Sequence, residues 1–176
     1  AATKHMKRID EEYTKAVEKY VQSLAIKTDF YEASIAWGQQ AFERGKVLHV
    51  ASKDGDGKLA AEADTMFVLA ESKFQESLLM IPKDEASTSG DAPPAPEEGL
   101  SLKSQILVLW GNVLFERSQV KHHRDANGDW EKDCTLAITK FTDAGCVRND
   151  IVRALMNHTS GIWKDEKDAE AAAGGK

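Results

Sequence analysis

At 176 residues the chain is long enough for one domain with a substantial core. Its net charge of −6, from 23 basic and 29 acidic residues, argues against nucleic acid or an anionic membrane as the main partner. No apolar run approaches the roughly 20 residues of a bilayer span, and Ala1 to Met6 lacks the apolar centre of a secretory signal.

Residues 7–27 read as a first helix, because Ile9, Tyr13, Ala16, Val17, Tyr20 and Leu24 recur at spacings of three and four. Asp10, Glu11 and Glu12 sit in its early turns, where the helix dipole favours acids. Lys27-Thr28-Asp29 is a break, with Asp29 placed to cap a second helix over about 30–51. The following Asp54-Gly55-Asp56-Gly57 has the look of a calcium loop. The twelfth position from Asp54 is Thr65, not the bidentate Glu such a loop needs, so the stretch reads as a turn. A third helix is expected over 59–81.

Residues 83–100 hold Ala, Ser, Gly, Pro and acids with no large apolar side chain before Leu100, and read as a mobile insert that proteolysis should nick first. A fourth helix is expected over 101–121 and a fifth over 130–145, with Gly145 as its end. Asn149 or Asp150 is placed to cap a last helix to about His158. From Lys164 the chain is charged and then simple, and 164–176 reads as a disordered tail. One domain then covers 7–163.

Two internal similarities organise these elements. Trp37-Gly38, Phe42-Glu43-Arg44 returns as Trp110-Gly111, Phe115-Glu116-Arg117, with every spacing kept. Ala70-x3-Phe74-x2-Ser77 returns as Ala137-x3-Phe141-x2-Ala144, and earlier as Ala16-x3-Tyr20-x2-Ser23. Small, aromatic and small residues at these offsets share one helical face, and they have the spacing of the second helix of a tetratricopeptide repeat. Gly inside a helix costs about 1 kcal/mol relative to Ala, so its recurrence points to close packing against a neighbour. The reading is an all-α, tetratricopeptide-like stack of antiparallel helix pairs. The Trp-Gly helices are first members, packed on the Ala70/Phe74 and Ala137/Phe141 faces.

Catalytic and metal motifs are missing. There is no phosphate-cradling Gly-rich loop, no Gly-x-Ser-x-Gly elbow, no Cys-x2-Cys pair and no His-Glu-x2-His helix. His122 and His123 lack a second ligand pair, so no metal or cofactor is expected. Cys134 and Cys146 read as free thiols in a reducing compartment. Glu43-Arg44 and Glu116-Arg117 read as surface pairs beside packed aromatics, and the chain as a non-enzyme.

Ser104-Gln105-Ile106 with Leu109-Trp110-Gly111 and Phe115-Glu116-Arg117-Ser118 resembles the C-terminal region of a plant and algal family. Its members join tetratricopeptide repeats to a Phox-type ubiquitin-like domain, the clumped-chloroplasts protein among them. Asp29 to Ala33, Gln39 to Glu43, Trp130 to Phe141 and Ile151 to His158 resemble other blocks of that region. The resemblance implies a non-enzymatic, cytosolic protein, placed in part at the chloroplast periphery and linked to chloroplast distribution and chaperone-like scaffolding. The family's ubiquitin-like domain and N-terminal repeats have no counterpart here. The carboxylate clamp of chaperone-binding repeats needs Lys, Asn and Arg on first helices. Glu32 and Gln105 stand where Lys would, and only Asn112 suits, so the clamp is expected to be absent.

Function is thus expected to be protein or peptide binding within a larger scaffold, or, alternatively, a structural place in a multiprotein assembly. First helices of such repeats line the groove. Two and six places after each Trp stand Gln39, Glu43, Asn112 and Glu116, the candidate binding residues for a polar or basic peptide.

Overall fold

The structure, a computed structural model, describes residues 2–52, 56–82 and 100–174. They form seven helices and no strand: α1 (Ala2–Ile26), α2 (Tyr31–Ser52), α3 (Gly57–Met80), α4 (Leu102–Arg124), α5 (Trp130–Asp143), α6 (Arg148–Met156) and α7 (Glu166–Ala172). The expected mobile insert, apart from Leu100, lies outside the described residues.

Local chemistry sets the ends. Asp56, the last residue of the calcium-like stretch, caps α3 by accepting from Lys58 N–H at 3.0 Å and Leu59 N–H at 3.1 Å. Ser101 does the same for α4 through Ser104 N–H at 3.1 Å. Past α5, Gly145 takes φ +79° and lets Cys146 N–H return to the Phe141 carbonyl at 2.9 Å. That is the glycine-terminated helix end expected of the sequence. Neither Asn149 nor Asp150 caps α6; Val147 stands at its N-cap without a side-chain bond. Position 147 keeps extended dihedrals, so the helix starts two residues early.

The helices pair in chain order. α2 packs on α3 and α4 on α5, α1 lies against α2, and α3 lies against α4. A Cβ added to Gly38 would sit 2.8 Å from the Phe74 ring, and one on Gly45 2.7 Å from Phe67. One on Gly111 would sit 2.5 Å from Phe141. Each glycine is a notch that takes a phenyl ring; the paired motifs predicted close packing at Gly38 and Gly111, and Gly45 adds a third notch that the second copy, with Ser118 there, does not repeat. Ser34, fully buried beside the first notch, donates to the Lys73 carbonyl at 3.0 Å and ties α2 to α3.

Two apolar clusters result. One gathers Leu48, Phe67, Phe74, Ile106, Val113 and Val120 between α2, α3 and α4. The other gathers Leu114, Cys134, Phe141, Ile151, Val152, Leu155 and Ala169. Ala169 belongs to α7, so the expected disorder from Lys164 onward is corrected over Glu166–Ala172. Asp165 caps that turn through Asp168 N–H at 3.0 Å, and Arg148 donates to the Glu170 carbonyl at 3.0 Å.

Candidate binding surface

Gln39 and Glu43 are exposed on α2, while Asn112 and Glu116 are half-buried on α4. They occupy matching turns of the two first helices, but they do not share one cavity. Glu43 lines a groove of about 310 Å³ between α1 and α2, with Arg8, Ile9, Glu12, Tyr13, Gln40, Arg44 and Val47. Asn112 lines a smaller one, about 190 Å³, whose walls are Val108, Phe141, Cys146, Asp150, Ile151 and Ala154. The first has an apolar wall of Ile9 and Val47 between charged side chains. The second has an apolar floor with one amide and one carboxylate at its edge.

The tryptophans beside the notches are held in matching ways. Lys73 Nζ lies 4.2 Å from the Trp37 ring centroid, and Lys140 Nζ lies 3.8 Å from that of Trp110. In both copies the cation precedes the notch-filling Phe in sequence. Each indole is thereby held by a charge from the paired helix. Trp110 Nε1 also donates to Glu71 at 3.2 Å, and Tyr20 stacks on Trp37 with centroids 6.4 Å apart.

The Arg of each motif is not a surface partner of the preceding Glu, which corrects the sequence reading. Arg117 Nε donates to Asp64 of α3 at 2.7 Å and lies 3.6 Å from Asp133 of α5. Its Nη1 is 3.6 Å from Glu71 of α3. Lys121 joins the set, 3.0 Å from Asp133 and 3.4 Å from Asp129. Burial alone would lower the Arg117 pKa, but the hydrogen bond and charge of Asp64, with Asp133 and Glu71, raise it above its ordinary value. Arg44, 9% exposed, pairs with Asp10 of α1. Aligned on Ala16 and Ala70, Asp10 and Asp64 fall at the same register position. The repeated acid on the preceding helix was therefore the signal in the sequence. An i,i+1 reading missed it, because neighbouring helical residues point in different directions.

The sequence reading also passed over His158. Ser160 N–H donates to its Nδ1 at 3.1 Å, which assigns the proton to Nε2, and Nε2 donates to Ser118 Oγ at 2.9 Å. Ser118 Oγ in turn donates to the Phe115 carbonyl at 2.6 Å. A hydroxyl on an imidazole at this distance has the geometry of an activated nucleophile. Here Ser118 is fully buried and His158 is 3% exposed. Trp130 stacks on the imidazole at 5.1 Å, with Trp163 at 5.4 Å and Phe115 at 5.3 Å edge-on. A substrate cannot reach the pair, and it serves as a lock between α4 and the segment after α6. Burial, with the charge of His122 adding to it, lowers the His158 pKa to about 4. Burial pushes the Cys134 thiol up to about 12, so it is no nucleophile either.

Among the described residues no group of three or more His, Cys, Asp or Glu is arranged to hold a metal ion, and no helix is long and apolar enough to cross a membrane.

No family model matches the chain, and no solved structure does. Curated relatives do. Protein PHOX1 of Arabidopsis thaliana is 29% identical over an alignment of 177 positions, spanning 85% of this chain and 24% of that protein. HSP-interacting protein of Zea mays is 29% identical over 171, spanning 84% and 23%. Protein PHOX3 of Arabidopsis thaliana is 28% identical over 169, spanning 82% and 21%. The chain thus spans about a quarter of the length of the curated relatives it matches. Similarity to plant PHOX proteins agrees with the plant and Phox elements of the resemblance drawn from the residues.

Proposed function

We propose that the chain is a non-catalytic protein-interaction module, built of tetratricopeptide-type helix pairs and belonging to a larger cytosolic scaffold. The observation that carries this reading is the sidedness of the pairs. Gly–Phe notches seal one face of α2 and α4, and the matching polar positions of the other face, Gln39 and Glu43 on α2, stay exposed. A relative named for interaction with HSP supports a chaperone-associated protein partner. A role in chloroplast distribution rests on the family resemblance alone.

The test is capture of partners from a plant extract by the chain, read by mass spectrometry, beside a variant with Gln39, Glu43, Asn112 and Glu116 all replaced by Ala. Partners recovered by the parent and lost by the variant, at an unchanged melting temperature, support a site on the first helices. Equal recovery by both rejects that site. Ile26 and Leu79, 89% and 88% exposed, favour the second reading, a structural subunit whose helix faces dock in an assembly. A chain that recovers nothing and self-associates would point there.

A further inference from the structure

The register that aligns the two repeats also shows where they differ. Arg117 closes on three carboxylates, Asp64, Glu71 and Asp133. Its counterpart Arg44 closes on Asp10. Where the second copy has Glu71 and Asp133, the first has Val17 and Met66. Arg44 is 9% exposed, and its Nη1 has no hydrogen-bond partner among the described residues. A charged donor left unmatched in the interior is costly and invites a ligand acceptor.

Arg44 lines the groove of about 310 Å³ between α1 and α2. The exposed Arg8 adds a second cation there, and Ile9 and Val47 add apolar wall. The two acids of the groove are engaged on their own helices, Glu12 with Lys15 at 3.2 Å and Glu43 with Lys46 at 2.6 Å. We propose that this groove binds a peptide segment carrying a carboxylate beside an apolar side chain. The carboxylate takes Nη1 of Arg44, supplying in trans what Glu71 and Asp133 supply to Arg117. The apolar side chain lies on Ile9 and Val47. With two arginines and two lysine-paired glutamates lining it, the groove matches a single negative charge better than a phosphate dianion. The groove shares Glu43 with the first-helix site proposed above but not Gln39, Asn112 or Glu116, and the variants that test it, at Val17, Arg8 and Arg44, leave those four residues in place.

The test titrates N-acetyl-Leu-Asp-amide and its isostere N-acetyl-Leu-Asn-amide into the full chain, following the Arg44 Nε–H and Tyr13 ring resonances by NMR. One charge-assisted hydrogen bond predicts that the acid binds about tenfold more tightly than the amide. Val17→Glu places a carboxylate at the Glu71 register and should abolish binding without lowering the melting temperature. Arg8→Ala should weaken it. Should Val17→Glu not fold, Arg44→Lys, which keeps a cation for Asp10 but has no second nitrogen to reach the ligand, must lose binding in its place. Equal affinity for acid and amide, undiminished binding in these variants, or equal response to inorganic phosphate would overturn the assignment.

Discussion

The buried imidazole of His158 makes stability depend on pH in a stated direction. Its folded pKa is about 4, against an ordinary value near 6.5 in the unfolded chain. Between those values the unfolded chain holds a proton that the folded one refuses, so acid favours unfolding. Stability should fall by about 3 kcal/mol as pH drops from 6.5 to 4, and His158→Gln should flatten that slope in urea titrations. The glycines give a second contrast. Gly111→Ala gains helix propensity of about 1 kcal/mol but drives a methyl into Phe141, where overpacking costs about 1–3 kcal/mol, so its melting temperature should drop. Among the described residues nothing lies within 4 Å of a Cβ added to Gly57, and Gly57→Ala should be neutral or stabilising. Equal effects at both sites would mean the notch is not tight.

At the scale of the element, the motif arginines, Arg44 buried and Arg117 half-buried, fasten each first helix to the second helix before it. Arg117→Ala strands the carboxylates of Asp64, Glu71 and Asp133; the cluster is half-buried, so the loss should be about 1–3 kcal/mol, below that of a fully buried pair. Asp64→Asn leaves Arg117 with Glu71 and Asp133 and should cost clearly less. Chemical denaturation of both variants checks that order. Helices and their pairing were legible in the sequence, because a small-aromatic-small face and a matching glycine are local patterns. Three things were not. The arginine partners sit on other helices, which spacing within one helix cannot show. α7 has no apolar stripe and is held through Ala169, buried by its surroundings. The His158 lock joins residues far apart in the chain through turns without periodicity. The four candidates were legible as matching positions on two helices, but that Glu43 and Asn112 line separate cavities depends on where α1 and α6 lie.

Taken whole, the molecule is a row of helices in which each packs mainly on its chain neighbours, so local opening should grade along the row. α3 lies between α2 and α4 and holds fully buried Phe67, Ala70 and Phe74. α1 has no fully buried residue among those described from Lys7 onward. Amide exchange should therefore be slowest in α3 and fastest in α1, and the reverse order would contradict a stack held by neighbours. The same arrangement distributes the four tryptophans as optical reporters. Trp37 and Trp110 each emit under a lysine cation, one in each helix pair. Trp130 lies flat on the His158 ring, and a protonated imidazole quenches indole emission. Lowering the pH toward 4 should dim Trp130 before the chain unfolds, giving the C-terminal end of the row its own fluorescence signal, separate from those of the two repeats.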